Sequence, residues 1–455
     1  MIGLTVAELA RLSAGTVHGA DPDAIVYGPV VVDSRRATPG SVFVAVKGER
    51  VDGHDFALQA VGAGAVAVLA RRVLPAVPTV LVADPVAALG LLARGALALL
   101  PGVEVVAITG SSGKTGTKDL VTGLLESLGP TVGPPGSYNT EIGLPLTVLA
   151  ADASTRYLVL ELGARGIGHV RELTQIAPPA IGVVLNVGSA HLAAFGSRAA
   201  IANAKAELVE ALPAGGLAVL SADDDLVASM AGRTAARVVL FGTSAAAQVR
   251  ADQVSVVDGR ARFTLLAAGG SAPVRLELVG AHHVGNALAA AAVALEAGAG
   301  LESVAAALSA ARPRSPWRME VRDTADAVTV INDAYNANPE STRAALRALV
   351  DLAGGRRTWA VLGEMRELGA TSAAEHAELG RVALELGVDR LVTVGEQARA
   401  ISVPGADAVA VPDADAAVAL LRGELAAGDV VLVKASRAAG LERVAAALLD
   451  PGGAR

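Results

Sequence analysis

The chain has 455 residues, of which 52% are hydrophobic and 18% charged, so it is long enough for two to four domains with sizeable cores. A net charge of −7 without a basic stripe argues against a general nucleic-acid binder, and 2% aromatic residues argue against a stacking platform for single strands. The absence of cysteine excludes disulfides and thiolate metal sites.

The apolar runs of the chain are too short to span a membrane. Charged residues such as Arg94 and Glu296 interrupt the two longest runs, whereas a span needs about 20 apolar residues. The first residues place Glu8 and Arg11 in a helical pattern and lack the basic and apolar regions of a signal peptide. We therefore expect a cytoplasmic protein without a membrane span.

The first hundred residues predict a small α/β domain. "IVYGPVVVDS", "SVFVAVKG" and "AVAVLA" are typical of short strands, and "FALQAVGAGA" is typical of a helix. Pro and Gly in "LPGVE" mark a boundary just before a new strand. The predicted N-terminal domain covers residues 1–101.

From residue 103 onward, apolar strands alternate with helix patterns, which is typical of a parallel sheet covered on both faces. The pair Asp258-Gly259 lies between alternating segments and predicts a hairpin. The segment "ARPRSPWR", residues 311–318, marks the next boundary, and α/β alternation resumes after it. We therefore predict three α/β domains: a smaller N-terminal one, a central one at 102–312 with a P-loop-type parallel sheet, and a Rossmann-like C-terminal one at 313–455.

The stretch "VVAITGSSGKTGTKDLV" joins an apolar strand to a helix through a glycine-rich turn. Such a turn lets backbone N–H groups approach phosphates, while Lys114 neutralises phosphate oxygens and Thr115 offers a hydroxyl to Mg²⁺. The spacing G-x-x-x-x-G-K-[ST] is not met, because Ile108 replaces the first glycine. The pattern predicts a shortened phosphate loop rather than a strand-to-helix turn with a surface lysine.

Two polar residues follow apolar strands of the predicted central sheet. Glu161 closes "YLVLEL", and His191 follows "IGVVLNV". Ligands in open α/β sheets bind beyond the carboxyl ends of the strands, so we expect both side chains, on adjacent strands, to face the same crevice as Lys114. A carboxylate and an imidazole there indicate a Mg²⁺ site, although each residue alone is compatible with a solvated strand or loop end.

Lys205 lies on a predicted helix that is N-capped by Ser197. The pattern alone favours an exposed lysine balanced by Glu207 and Glu210.

The motifs, in their order along nearly the whole chain, resemble the Mur ligase family. They are "VVDSRRATPGSVFVAVKGERVDGHDF", "ITGSSGKTGTKD", "SYNTEIGLP", "LELGARGIGHVREL", "LNVGSAHLAAFGS", "AKAEL", "GAHHVGNALAA", "DAYNANPES", "VLGEMRELG" and "VLVKASRA". The Tyr-Asn-Ala-Asn-Pro run and "GEMRELG" are typical of the branch that joins D-alanyl-D-alanine to UDP-N-acetylmuramoyl-tripeptide. The Asp-Asn-Pro-Arg motif of the sister ligase that adds the diamino acid is missing.

The resemblance implies an ATP-dependent ligase that forms a C–N bond through an acyl phosphate, in the last cytoplasmic step towards the peptidoglycan pentapeptide precursor. The N-terminal domain would hold the uridine nucleotide, the central domain ATP, and the C-terminal domain would close over both and bind the dipeptide. We expect a monomer.

The resemblance also implies roles for individual residues. The residues implied to bind ATP are Gly110, Ser111, Ser112, Gly113, Lys114, Thr115, Asn286, Arg318 and Asp333. Those implied to bind the substrates are Ser34, Arg35, Lys47, Gly48, Asn139, Thr140, Asn336 and Asn338. The implied catalytic residues are Lys114, Glu161, His191 and Lys205, and those implied to hold two Mg²⁺ ions are Thr115, Glu161 and His191. Lys205 matches a lysine that is carbamylated in several family members.

Three positions depart from the family's usual pattern. His283 and Thr140 stand where asparagines are common, and Ala435 replaces a glycine. These departures affect contacts to adenine and peptide rather than the residues assigned to chemistry.

Three alternatives remain. A folylpolyglutamate synthetase or the diamino-acid-adding ligase is disfavoured by "DAYNANP" and the uridine-type N-terminal domain. A P-loop switch or transport ATPase would need the conventional loop spacing. A non-catalytic nucleotide-binding protein would not need the set Lys114, Glu161 and His191.

Overall fold

A computed structural model describes residues 2–134, 136–188 and 195–450. Three larger sheets follow one another along this part of the chain, each with helices packed on it. The α/β class expected from the sequence is confirmed. Among the described residues, no helix combines the length and the apolar character that a membrane crossing requires.

The N-terminal part contains a five-stranded sheet of order β2-β7-β6-β5-β4 and a small β1-β3 pair. Its strands are β1 (Leu4–Thr5), β2 (Thr16–His18), β3 (Ile25–Val26), β4 (Val30–Val31), β5 (Val42–Val44), β6 (Ala67–Ala70) and β7 (Thr79–Leu81). Its helices are α1 (Val6–Leu12), α2 (Ala57–Gly62) and α3 (Pro85–Ala98), with 3-10 turns at Ser34–Arg36 and Gly53–Phe56. Strands β4 to β7 run parallel, so the loops after β4 and β5 leave the same edge.

The central part forms a nine-stranded sheet of order β16-β15-β14-β13-β12-β11-β8-β10-β9. Its strands are β8 (Glu104–Thr109), β9 (Thr131–Val132), β10 (Tyr157–Glu161), β11 (Ile181–Val184), β12 (Leu217–Ser221), β13 (Arg237–Gly242), β14 (Val249–Val257), β15 (Arg260–Ala267) and β16 (Gly270–Val279). Its helices are α4 (Lys114–Leu125), α5 (Gly143–Val148), α6 (His169–Ile176), α7 (Arg198–Glu210), α8 (Asp225–Ala228), α9 (His283–Glu296) and α10 (Leu301–Ala310), with a 3-10 turn at Ser229–Arg233.

The order of the central strands corrects one expectation. Strands β10 and β11 are not adjacent, because β8 pairs in parallel with both of them. The strand that leads into the phosphate loop therefore lies between the strand of Glu161 and the strand that precedes His191. The predicted hairpin is confirmed: Val257 pairs with Arg260 across Asp258-Gly259, and both turn residues have positive φ.

The C-terminal part forms a six-stranded sheet of order β17-β18-β22-β19-β20-β21, in which β17 alone runs antiparallel. Its strands are β17 (Glu320–Asp323), β18 (Thr329–Asn332), β19 (Thr358–Leu362), β20 (Arg390–Val394), β21 (Ala408–Val411) and β22 (Val430–Lys434). Its helices are α11 (Pro339–Ala353), α12 (Ser372–Glu385), α13 (Ala414–Glu424) and α14 (Glu442–Leu449), with 3-10 turns at Gly369–Thr371, Gln397–Ile401 and Arg437–Ala439.

The alanine-rich helix α9 explains part of the alanine bias. Its residues from Ala287 to Ala294 are fully buried, and the helix packs against α4 and β13. Small side chains allow this close approach, because each adds little volume between the two helices. The approach sets Asn286, near the start of α9, against the glycine-rich loop that precedes α4.

Candidate active site

A cavity of about 840 Å³ lies between the central and the C-terminal sheet and takes residues from both. Its central wall is built by the segments that follow β8, β10 and β11, at the carboxyl ends of parallel strands, where open α/β sheets bind ligands. The opposite wall comes from the segment before β17, which carries Arg318, and from the segments after β18, β19 and β22.

The glycine-rich loop is held by a residue that the sequence reasoning missed. Asn186, just beyond β11, accepts hydrogen bonds on Oδ1 from the backbone N–H groups of Ser111 (3.0 Å) and Ser112 (2.9 Å). Gly113 has a φ of 81°, and a side chain there would meet Asn286 Oδ1 at 2.5 Å. Asn186 is a polar residue ending an apolar strand, the same signal that identified Glu161.

Lys114 begins α4 and donates from Nζ to the carbonyl oxygen of Gly110 at 2.7 Å. Burial lowers its pKa; the carboxylate of Glu161 opposes this shift, and the guanidinium of Arg318 adds to it. An anionic ligand would favour the charged form, so the position suits a phosphate-binding cation.

The carboxylate of Glu161 is the hub of the central wall. It is 1% exposed and accepts hydrogen bonds from the Thr115 hydroxyl (2.8 Å), the Ser137 hydroxyl (2.7 Å) and the Asn139 amide (2.7 Å). Arg318 Nη2 donates to the same Thr115 hydroxyl at 3.1 Å. The buried carboxylate is thus satisfied by donors from two segments of the chain, and one of these donors, Thr115, is itself held by Arg318.

The oxygen atoms of Glu161 and Thr115 fit a small hard cation, because Mg²⁺ prefers oxygen ligands and usually completes its shell with waters and substrate phosphates. Within residues 2–134, 136–188 and 195–450, no three His, Cys, Asp or Glu side chains converge on one point. His191, the third predicted ligand, lies outside the described residues.

Lys205 lies on α7, which Ser197 caps as predicted, but the exposed-lysine interpretation is wrong. The side chain lines the cavity and is 4% exposed. Burial, and then the charge of Lys114, place its pKa well below the usual range. Glu207 does not balance it, since that carboxylate accepts from the N–H of Gly168 (2.6 Å) and of Arg171 (3.0 Å). In the part of the chain that the structure describes, Lys205 has no hydrogen bond or ion pair.

Arg318 presents its guanidinium from the opposite wall and lies 4.2 Å above the ring of Tyr335. The residues on either side of it, Trp317 and Met319, have φ of 59° and 49°. A non-glycine residue in this region costs about 1 kcal/mol or more, so the local backbone is strained where Arg318 enters the cavity.

Asp333 and Lys434 form a buried pair at the ends of β18 and β22. Lys434 Nζ donates to Asp333 Oδ2 at 2.5 Å and to the carbonyl oxygen of Asn336 at 2.9 Å, while Asp333 Oδ1 accepts from the N–H of Met319. Burial lowers the pKa of Lys434, and the carboxylate of Asp333 opposes that shift.

The remaining predicted residues of the cavity are Asn286, Asn336, Asn338 and Thr140, which all line it together with Asn139. Asn338 caps α11 through Oδ1, which accepts from the N–H of Ser341 at 2.8 Å. Thr140 Oγ1 accepts from the N–H of Gly143 at 3.3 Å. These two side chains already serve the local backbone.

The predicted uridine-nucleotide residues lie apart from this cavity, in the N-terminal part. Ser34 and Arg35 follow β4, and Lys47 and Gly48 follow the neighbouring strand β5. Ser34 is buried and donates to Gln59, whereas the Arg35 side chain is exposed and pairs with a neighbouring carboxylate. A direct link to the central wall is the hydrogen bond from Arg36 Nη1 to the Tyr138 hydroxyl at 3.1 Å.

A second missed residue, Lys118, ties the loop of Ser137 to helix α4. It is 1% exposed and donates to the carbonyl oxygens of Pro134 and Gly136, and it pairs with Asp119. Asp119 in turn accepts from the N–H of Ser315, and Arg314 Nη1 donates to Glu126 at 2.8 Å. The start of the C-terminal part is therefore fastened to α4.

Comparison with known proteins gives consistent matches along the chain. Family models match at residues 27–96 (Mur ligase family, catalytic domain), 108–294 (Mur ligase middle domain) and 317–437 (Mur ligase, glutamate ligase domain). The UDP-N-acetylmuramoyl-tripeptide–D-alanyl-D-alanine ligase of Mycobacterium tuberculosis strain H37Rv is 51% identical over 99% of this chain and 98% of its own.

Two solved structures are similar over nearly the whole fold. The UDP-N-acetylmuramoylalanyl-D-glutamyl-2,6-diaminopimelate–D-alanyl-D-alanyl ligase of Acinetobacter baumannii is 32% identical, with a TM-score of 0.85 over 98% of both chains. The MurF ligase of Thermotoga maritima in complex with ADP is 33% identical, with a TM-score of 0.81 over 93% of this chain and 97% of its own. The chain belongs to the Mur ligase family.

Proposed function

We propose that this protein is an ATP-dependent ligase that joins D-alanyl-D-alanine to the peptide carboxylate of UDP-N-acetylmuramoyl-tripeptide. The observation that carries the proposal is the cavity between two sheets, in which Lys114, Thr115 and Glu161 face Arg318 and Asp333. The names of the relatives and of the solved structures supply the substrates.

We assign ATP to the glycine-rich loop and the walls beside it. Gly110 to Thr115 would bind the phosphates, because the loop is followed at once by the positive end of α4. Asn286, packed against Gly113, would contact adenine, and Arg318 and Asp333 would reach the nucleotide from the opposite wall. The ADP-bound structure of the Thermotoga maritima relative supports the nucleotide.

Thr115 and Glu161 would hold Mg²⁺, with His191 as a third ligand. We propose that two magnesium ions bind. Bound magnesium would neutralise charge on the phosphates, which is needed because a triphosphate and a carboxylate must approach each other. Lys114 supplies positive charge to the same region from the protein itself.

Lys205 would be carbamylated, which turns a cation into a carboxylate. Its burial, with no hydrogen bond or ion pair to the described residues, supports this proposal, because a lowered pKa favours the uncharged amine, which is the form that reacts with carbon dioxide. Mass spectrometry of the native protein in bicarbonate buffer should show one added carbon dioxide, lost in the variant Lys205→Met.

The carboxylate must be activated before it can form an amide, because oxide is a poor leaving group. The substrate carboxylate attacks the γ-phosphorus of ATP and releases ADP, which gives an acyl phosphate. The amine of D-alanyl-D-alanine then attacks the carbonyl carbon, loses a proton, and phosphate departs with the C–O electron pair. Lys114 and Arg318 stabilise the charge on the transferred group, and the cavity walls exclude water that would hydrolyse the acyl phosphate.

We propose the division 1–101, 102–312 and 313–455 for the domains that hold the uridine nucleotide, ATP and the dipeptide. Ser34, Arg35, Lys47 and Gly48 would bind the uridine nucleotide, and Asn139, Thr140, Asn336 and Asn338 the peptide groups. Segment 311–318 would act as the hinge for closure. X-ray scattering with and without both nucleotides tests the closure, and an unchanged curve would count against it.

We also propose that the enzyme acts in the cytoplasm and as a monomer. Light scattering on the purified protein tests the second point, since a dimer would double the mass of 45.3 kDa.

The reaction is tested by phosphate release from ATP with Mg²⁺ and UDP-N-acetylmuramoyl-tripeptide, with and without D-alanyl-D-alanine. We expect release that depends on the dipeptide, together with a pentapeptide product. Release only with the dipeptide precursor and a diamino acid would indicate the sister ligase. Hydrolysis that is indifferent to every acceptor would indicate an ATPase.

A further inference from the structure

One charged cluster on the central wall takes no part in the steps described above. Two residues after β10 line the cavity: Arg165, on the segment between β10 and α6, and His169, the first residue of α6. Glu141 holds both: its Oε1 lies 3.1 Å from Arg165 Nη1, and its Oε2 lies 3.5 Å from His169 Nε2. The imidazole is also oriented by the backbone N–H of Arg165, which donates to Nδ1 at 3.2 Å.

The segment that carries the cluster is fixed at both ends to residues of the candidate site. At its start, the N–H of Gly163 donates to the carbonyl oxygen of Asn139 at 2.9 Å, and Asn139 also donates to Glu161. At its end, Gly168 is held by Glu207, two residues from Lys205 on α7. The cluster is therefore part of the wall that carries the reacting centre, four residues beyond Glu161.

Arg165 has most of its hydrogen-bonding capacity free. Among the described residues, its guanidinium donates only from Nη1, although the group has five N–H donors. Its side chain is 63% exposed. Among the described residues, Glu141 Oε2 makes no hydrogen bond and only the longer contact of 3.5 Å with His169 Nε2. Arg165, which lines the cavity, thus has N–H donors that bind no described residue.

The tripeptide substrate, here called the acceptor because it accepts the phosphoryl group, carries carboxylates that a guanidinium group can bind. A substrate built as alanyl-D-glutamyl-2,6-diaminopimelate has two carboxylates besides the reacting one. A glutamyl residue uses one of its two carboxyl groups in the chain, and diaminopimelate carries two, of which one is activated. Glu161, Lys205 and Arg165 line the same cavity, so a peptide whose reacting carboxylate lies beside Glu161 and Lys205 can present an unreacted carboxylate to Arg165.

We propose that Arg165, supported by His169 and Glu141, binds an unreacted carboxylate of the acceptor peptide. This inference rests on the proposed function. Planar guanidinium groups recognise carboxylates through paired, charge-assisted hydrogen bonds, which makes Arg165 the binding residue and the other two positioning residues.

The test compares Arg165→Gln with a matched control. Arg171 lies six residues further on, is similarly exposed (57%) and is similarly paired, at 3.6 Å from Glu210, but it lines a separate groove. With an acceptor that ends in diaminopimelate, we expect Arg165→Gln to raise the KM for the acceptor about tenfold, with kcat and the KM for ATP within twofold of wild type. Arg165→Lys should recover part of the loss, and Arg171→Gln should match wild type.

An acceptor that ends in lysine distinguishes the two carboxylates. A rise in KM only with the diaminopimelate acceptor assigns Arg165 to the distal carboxylate, and an equal rise with both acceptors assigns it to the D-glutamyl carboxylate. An unchanged acceptor KM in Arg165→Gln, or an equal change in Arg171→Gln, would overturn the inference. A wild-type protein that ligates neither acceptor would instead refute the proposed function.

Discussion

Two buried lysines line opposite walls of the cavity, and their surroundings differ. Lys434, on the C-terminal wall, is 2% exposed and locked by Asp333 and the carbonyl oxygen of Asn336. Lys205, on the central wall, is 4% exposed and has no hydrogen bond or ion pair among the described residues. Burial lowers the pKa of both, and further for Lys205.

The two lysines differ in their partners: Lys434 is bound by protein groups, whereas Lys205 has no partner among the described residues. A buried ion pair with extra hydrogen bonds holds segments together, so Lys434 fixes the ends of β18 and β22. A buried lysine with no partner among the described residues is expected to destabilise the fold, which agrees with the proposed role of Lys205 in the reaction. Lys114 belongs with Lys205, since it bonds one carbonyl oxygen and otherwise faces the cavity.

The largest expected effect comes from removing the ligand-facing charge of the central wall. Lys114→Met should lower kcat about 10³-fold, because the charge that develops on the transferred phosphoryl group loses a stabilising cation. The free energy of unfolding should change little, since Lys114 forms no ion pair with the described residues and only one hydrogen bond, to Gly110. Phosphate-release kinetics measure kcat, and urea denaturation measures the free energy of unfolding. A Lys114→Met variant that unfolds more easily but retains its kcat would show that Lys114 is a structural cation like Lys434.

The opposite wall should respond in stability. Lys434→Met should destabilise the protein by about 3–5 kcal/mol, because Asp333 is left buried without its partner. The control is the double variant Asp333→Asn with Lys434→Met, which should lose much less than the sum of the two single variants. Strictly additive losses in urea denaturation would show that the pair is not coupled.

Lys205→Met should stabilise the protein by roughly 1 kcal/mol at neutral pH in buffer free of carbon dioxide, because a buried amine with a lowered pKa is removed. The folded-state pKa lies below the unfolded value, so the unfolded chain binds more protons and wild-type stability rises with pH. The gain should therefore shrink as the pH approaches about 10.4, the pKa of lysine in an unfolded chain.

Thermal unfolding at several pH values measures this effect, with the exposed Lys47→Met as the control that should not change. A loss of stability in Lys205→Met at every pH would show that Lys205 belongs with the structural cations.

The smallest effect is expected at the link between α4 and the C-terminal part. The side chains of Arg314 and Glu126 are 44% and 42% exposed, so solvent screens their ion pair. Arg314→Gln should change the free energy of unfolding by less than about 1 kcal/mol. A loss of several kcal/mol in urea denaturation would show that this exposed ion pair stabilises the protein as much as the buried pair of Lys434 and Asp333 does.

Residues whose signal is local could be predicted from the sequence. Glu161 ends an apolar strand, and polar residues at the carboxyl ends of parallel strands face the ligand site. The same rule applies to Asn186, just beyond β11, so that residue was also predictable. The loop from Gly110 to Thr115 and the hairpin at Asp258-Gly259 were also identified from short patterns.

Features that depend on distant packing were not predictable from the sequence in this way. The burial of Lys205 depends on how α7 packs on the sheet. Its sequence neighbours Glu207 and Glu210 instead favour the prediction of a solvent-exposed helix face. The position of β8 between β10 and β11 is a property of sheet order, which no local pattern contains. Lys118 gave no signal, because its carbonyl partners belong to a loop sixteen residues away.

The hydrogen bond from the N–H of Ser315 to Asp119 has a consequence for recombination between homologous genes. The first residues after the central part are fastened to α4, so a crossover at the linker separates residues that are bonded to each other. A chimera that takes its C-terminal part from another parent needs a matching Asp119 and Glu126, or it loses both attachments. A crossover at the linker is therefore expected to succeed between parents that share Asp119 and Glu126, although both residues lie far from it in the sequence.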